Sequence, residues 1–167
     1  MSRAFVKESD DDLVAGELPE RPLPLHVNYV TPRGLELLQT RVRELDERHE
    51  QLKRQVEEDS EARQKMREID RVLRYFRSQL ERATLVDTAN QPRDQVHFGA
   101  TVKIDDQDGH EQEFSIVGDD EGDVAAGKIS WASPLARAMI GARVGDTVVW
   151  RRPAGEAEVY IVDIRYS

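Results

Sequence analysis

The chain has no cysteine in its 167 residues. Disulfides and thiolate metal sites are therefore excluded, which fits a reducing, cytoplasmic setting. Histidine is scarce, with four in all. None are paired at metal-ligand spacing, so the chain is expected to hold no metal or cofactor of its own. No apolar run approaches the roughly 20 residues that span a bilayer, so no membrane partner is expected. Residues 1–7 (MSRAFVK) lack the long apolar core of a secretory signal. There is no glycine-rich phosphate loop and no nucleophile–base–acid pattern, so the chain is not expected to be an enzyme by itself. A basic excess is missing too, since the formal net charge is −9. Wrapping of duplex nucleic acid by the whole surface needs a basic face and is excluded. The charge is uneven, however. Residues 31–87 carry 13 acids and 13 bases, whereas residues 88–167 carry 14 acids against 8 bases. A protein partner, or a local nucleic-acid contact through the neutral segment, stays open.

What the chain does have is two apolar runs in unbroken 3–4 heptad spacing. The first is Leu35, Leu38, Val42, Leu45, His49, Leu52 and Val56. The second is Ala62, Met66, Ile69, Leu73, Phe76, Leu80 and Ala83. Between them lie only Glu57, Glu58, Asp59, Ser60 and Glu61. Two heptad helices joined by so short a turn must fold back as an antiparallel coiled-coil hairpin. At ~1.5 Å per residue each arm is roughly 35 Å long. Thr31-Pro32 starts the first helix as cap and first-position proline. Ser60 or Asp59 caps the second, with Glu61 in its first turn.

The expected organisation has four parts. Residues 1–30 read as a disordered acidic tail. Phe5 and Val6 are its only apolar pair near the start, and ERPLPL (residues 20–25) favours polyproline conformation. Residues 31–87 form the hairpin, with its acidic tip at 57–61, and residues 88–95 form a linker. Residues 96–167 form a small α+β domain. Its strands fall at 100–105, 113–117, 128–131, 147–150 and 157–165, with a turn at Asp108-Gly109. Ser133-Pro134 opens a short helix over 135–140. An antiparallel sheet is expected.

The stretch ISWASPLARAMIGARVGDTVVWRRPAGEAEVYIVDI, residues 129–164, carries SP-x-ARA, VGD and PAGE elements. With MREIDRVLRY (residues 66–75) and LVD (85–87), it resembles the bacterial Gre transcript-cleavage and elongation factors over residues 28–166. The resemblance implies a coiled-coil hairpin followed by an FKBP-like domain. It implies a monomer that binds bacterial RNA polymerase, docks by its C-terminal domain and enters the secondary channel with its hairpin. The docking residues would be Ser133, Pro134, Leu135 and Arg137, although Ala132 replaces the family's Asp there. Arg63, Arg67 and Arg74 would face transcript RNA or the channel wall. Tip carboxylates Glu58 and Glu61 would share a magnesium ion with the polymerase. The tip reads Glu58-Asp59-Ser60-Glu61-Ala62 against the family's Asp-x-Ser-Glu-Asn, and no Tyr follows. Each arm is shorter by about one heptad, roughly 10 Å of helix, as in Gre-like proteins of the Rnk type. That shortening implies weak or absent stimulation of cleavage.

Each feature also has a plainer reading. The acidic tip is a solvated, capped turn. Arg63, Arg67, Arg71, Arg74 and Arg77 pair across the hairpin with Glu44, Glu47, Glu50 and Glu57. His49 fixes register in a thin core. Ser133 is a helix cap. Trp131, Trp150, Phe98, Phe114 and Tyr160 are strand-face core residues rather than a proline-binding cup. Two alternatives to an elongation regulator follow: a non-cleaving competitor of Gre factors, and an FKBP-like prolyl isomerase or chaperone with a coiled-coil arm.

Overall fold

A computed structural model describes residues 19–57 and 59–167. Residues 1–18, including Phe5 and Val6, lie outside it, as does Glu58. Strand β1 (Asn28–Val30) leads into helix α1 (Pro32–Lys53), and helix α2 (Ser60–Glu81) leads into strand β2 (Ala83–Leu85). The two helices run in opposite directions alongside each other. His49 Nε2 reaches Asp70 Oδ1 at 2.8 Å, and Asp46 pairs with Arg77. With 22 residues each, the arms are about 33 Å long.

The heptad stripe is the seam. Leu45, Ile69 and Leu73 are buried in one cluster, with Val42, Leu52 and Phe76 half-buried around them. A fully buried side chain of this kind contributes about 1.5–3 kcal/mol. The stripe outruns the helices at both ends, because Val56 lies in the turn and Ala83 begins β2. Thr31 caps α1 by accepting from the Gly34 N–H at 2.9 Å, with Pro32 at the first position. Asp59 rather than Ser60 caps α2, its Oδ1 accepting from the Glu61 N–H at 2.9 Å.

The expected tail is corrected from residue 19 onward. β1 pairs in parallel with β2, Asn28 opposite Ala83 and Val30 opposite Leu85, and closes the base of the helix pair. Residues 19–27 run along α2. Their polyproline character is local, but the surface they lie on is more than 50 residues distant in sequence.

The C-terminal half is an α+β unit. Strands β3 (Thr101–Asp105), β4 (Glu111–Val117), β5 (Lys128–Ser130), β6 (Thr147–Arg152) and β7 (Gly155–Arg165) form one sheet. Its order is β5-β4-β3-β7-β6. It is mixed, not antiparallel, because β5 pairs in parallel with β4. The chain between them, residues 118–127, runs through two 3-10 turns instead of a hairpin. Helix α3 (Pro134–Met139) lays Leu135, Ala136 and Met139 on the sheet's inner face against Val102, Ile116 and Ile161. Phe98 joins this core, with Phe114, Trp131 and Trp150 at its margin. Tyr160 does not, being 45% exposed on the outer face. Among the described residues no helix is long and apolar enough to cross a membrane.

Candidate functional site

The sequence points to three surfaces: the tip, the arginine face of α2 and the start of α3. A fourth region, not legible in the sequence, joins the helical half to the C-terminal half. Gly118 is followed by Asp119, Asp120 and Glu121 in a 3-10 turn, and each acid holds a different part of the helical half. Asp120 accepts from Tyr75 OH and from Gln79 Nε2, both at 2.8 Å. Asp119 meets His26 Nε2 at 2.5 Å and accepts from Ser130 Oγ at 2.5 Å. Glu121 accepts from Thr31 Oγ1, the α1 cap. Gln79 is wholly buried, and its carbonyl accepts from Asn28 Nδ2 at 2.7 Å. Tyr75 and Gln79 lie off the seam of α2, so α2 buries a second face against the C-terminal half. Burial, and then the Asp120 hydrogen bond, push the Tyr75 phenol up to about 12.

Two glycines permit this close approach. A Cβ on Gly34 would stand 2.8 Å from Glu121 Oε1, and one on Gly118 would overlap the Tyr29 carbonyl oxygen. Below the joint, Trp131 meets His26 and Tyr29 edge-on, with centroids 5.1 and 5.0 Å apart. The one local signal for the joint is the acidic triplet itself, and its partners at residues 26–79 are 41 to 93 residues distant.

At the tip, Glu61 is exposed and pairs with Lys65 at 2.9 Å, one helical turn on. Asp59 is engaged as the cap. Magnesium requires a near-octahedral oxygen shell, and the described tip acids do not make one by themselves. Among the described residues, the group compact enough to suggest a metal is Asp106, Asp108 and His110. Those three sit exposed on the β3–β4 turn, away from the tip.

On α2, the expected cross-pairing with Glu44, Glu47, Glu50 and Glu57 is not what the arginines do. Arg77 pairs with Asp46. Arg74 pairs with Glu20, and Arg71 Nη1 donates to the Pro19 carbonyl at 3.2 Å. Arg63 and Arg67 are exposed, with no ion pair among the described residues. Heptad geometry alone cannot foresee that a distant extended segment reaches these groups first. His49 Nε2 reaches Asp70 Oδ1 on the facing helix at 2.8 Å.

At α3, Ser133 Oγ accepts from the Ala136 N–H at 3.4 Å, and Pro134 occupies the first position. Pro134 and Arg137 are exposed. Leu135 is 4% exposed, so its side chain belongs to the core and offers no contact surface.

A family model described as "Transcription elongation factor, GreA/GreB, C-term" matches residues 91–166. Transcription elongation factor GreB of Neisseria meningitidis serogroup B is 50% identical over 105 residues, 62% of this chain and 64% of that protein. Transcription elongation factor GreA of Nitratidesulfovibrio vulgaris is 40% identical over 106 residues, 63% of this chain and 65% of that protein. The matches thus span just under two thirds of these relatives. A solved GreA/GreB factor from Nitrosomonas europaea aligns over 83% of this chain and 99% of its own, at 21% identity and a TM-score of 0.41. At that score the likeness of overall shape carries no weight, and the sequence of the C-terminal domain decides. Over residues 91–166, then, the chain carries a domain that matches the GreA/GreB C-terminal family.

Proposed function

We propose that the chain binds bacterial RNA polymerase in the cytoplasm and regulates elongation from the secondary channel. The observation that carries this reading is the 50% identity over 105 residues to a protein named transcription elongation factor GreB. In this reading the two helices are a coiled-coil finger. The C-terminal half is an FKBP-like docking domain, with Ser133, Pro134 and Arg137 on the contact surface. Arg63 and Arg67, exposed near the tip, face transcript RNA or the channel wall. The acid triplet at 119–121 matters because it fixes the angle at which the finger leaves the docking domain.

A second reading, occupancy without efficient cleavage, is favoured by the tip. Asp59 is used as a cap and Glu61 is paired with Lys65, and the resemblance implies arms about 10 Å shorter than the family's. The prolyl-isomerase alternative is not favoured. Trp131 is already covered by His26 and Tyr29, and Phe98 is 9% exposed.

Capture on immobilised core polymerase tests the main reading, and wild type is expected to be retained and to compete with GreB. No capture, with the protein folded, refutes it. A backtracked-complex cleavage assay separates the two forms of the reading. Strong cleavage abolished by Glu58→Ala or Glu61→Ala would establish the full Gre mechanism and remove the occupancy reading.

A further inference from the structure

Residues 19–27 form a strap that follows α2 in the same direction as the helix. The Pro19 carbonyl accepts from Arg71, and the Glu20 carboxylate accepts from Arg74 Nε at 3.1 Å and from Nη2. The Arg21 guanidinium stands 3.7 Å over the Tyr75 ring. The carbonyls of Pro24 and His26 accept from Arg82. Pro22 and Pro24 fix their own φ, so less entropy is lost when the segment lies down.

The strap leaves one donor unmatched. Arg71 Nε is inaccessible to solvent and has no partner. A peptide carbonyl answers one edge of that guanidinium where a charged, multi-oxygen group would answer two. Arg63, Arg67, Arg71 and Arg74 recur at spacings of four, four and three, which places them along one side of α2. A row of guanidinium forks suits a chain of phosphates, each able to accept bidentately. The Glu20–Arg74 pair itself is open to water, with side chains 61% and 57% exposed. Such a pair is worth only a few-fold in an equilibrium constant, so a phosphate can displace it. Its hydrogen bond from Arg74 keeps the Glu20 carboxyl below the usual carboxylate range, so the competitor stays charged.

We propose that Glu20 and the strap are a built-in competitor for the arginine face of α2, displaced when single-stranded nucleic-acid phosphates bind there. The identity of the anion rests on the function proposed above, whereas the competition does not require the polymerase. The chain has no cysteine, so Leu23→Cys, at a position 40% exposed, takes a single spin label on the strap. The probe is a short fluorescent single-stranded oligouridylate, titrated at low salt and read by anisotropy. Glu20→Gln is expected to tighten binding about two- to five-fold. Glu68→Gln, which removes an exposed acid of α2 outside the strap, is expected to tighten it less. Arg74→Gln is expected to weaken binding and to erase the difference made by Glu20→Gln. The label is expected to gain mobility at saturating RNA, and to be more mobile without RNA in Glu20→Gln. Equal affinities of Glu20→Gln and wild type overturn the inference. So do equal effects of Glu20→Gln and Glu68→Gln, a label that stays immobile at saturation, or no RNA binding by any form. Polymerase capture of the same proteins is the separate arm. If no form is captured while the RNA and label results hold, the proposed function fails and the strap competition stands.

Discussion

Asp120→Ala is expected to uncouple the two halves of the molecule. The carboxylate accepts from Tyr75 OH and Gln79 Nε2, each at 2.8 Å. Gln79 is 0% and Tyr75 5% exposed, so both donors lose their partner where water is scarce. A hydrogen bond to a charged acceptor is worth about 1.5–3 kcal/mol, and an unsatisfied buried donor costs about 1–3. The two bonds share one carboxylate, and Asp120 is only half-buried, so water reaches part of the gap. The net loss is therefore about 2–4 kcal/mol rather than the full sum. Tyr75→Phe removes one of the two bonds and leaves no orphan donor, so it should cost about 1–2 kcal/mol. The assay is urea unfolding followed in parallel by the helical circular dichroism signal and by fluorescence of Trp131 and Trp150, both at the margin of the C-terminal core. In wild type the two transitions should coincide. In Asp120→Ala the helical signal should melt first and the fluorescence later. A loss under about 0.5 kcal/mol, the level of an ordinary surface change, or transitions that still coincide, would refute the joint as the coupling element.

Leu73→Ala, at a site 2% exposed in the seam, should cost about 2–3 kcal/mol, the low end for a core leucine, because a two-helix seam relaxes easily; an unchanged melting curve would contradict the seam. The phenol of Tyr75 is raised from 10.0 to about 12 by folding. Its contribution is therefore complete below pH 10 and lost as pH climbs toward 12, so alkaline unfolding should be shallower in Tyr75→Phe than in wild type. Gly34→Ala should destabilise despite the better helix propensity of alanine, about 1 kcal/mol, because its Cβ would meet Glu121 Oε1 at 2.8 Å; a gain in stability would show that Glu121 moves freely. Ser133→Ala with Pro134→Ala should weaken polymerase capture while costing only about 1 kcal/mol of stability for the lost cap, and unchanged capture would place the docking surface elsewhere.

The elements legible in the sequence are those with local causes. The heptad stripe names the seam because residues three and four apart share a helix face whatever lies beyond. Thr31-Pro32 and Ser133-Pro134 mark helix starts because a cap and a first-position proline act within one turn. The five strands of the C-terminal half follow from alternation and turn residues, and SP-x-ARA, VGD and PAGE carry the likeness to the GreA/GreB C-terminal domain. The errors have the opposite character. The parallel pairing of β5 with β4 depends on a return path through residues 118–127, which alternation does not encode. Leu135 was a contact residue by motif, but its side chain is in the core, since one turn of helix must present both faces. Heptad geometry points the arginines of α2 at glutamates across the seam, whereas Arg71 and Arg74 are taken by Pro19 and Glu20.

By itself, then, the sequence determined the helix pair with its seam and caps, the strand set of the C-terminal half, the absence of thiol chemistry and the likeness of residues 91–166 to the GreA/GreB C-terminal domain. Only the tertiary structure decided that residues 19–30 are strap and strand, that the acids at 119–121 lock the helices to the sheet, and which guanidinium groups are engaged by the strap. Periodicity and capping are short-range effects, written residue by residue. Polar contacts between segments 41 to 93 residues apart depend on where folding brings each donor and how little water is left there, and no local pattern records either.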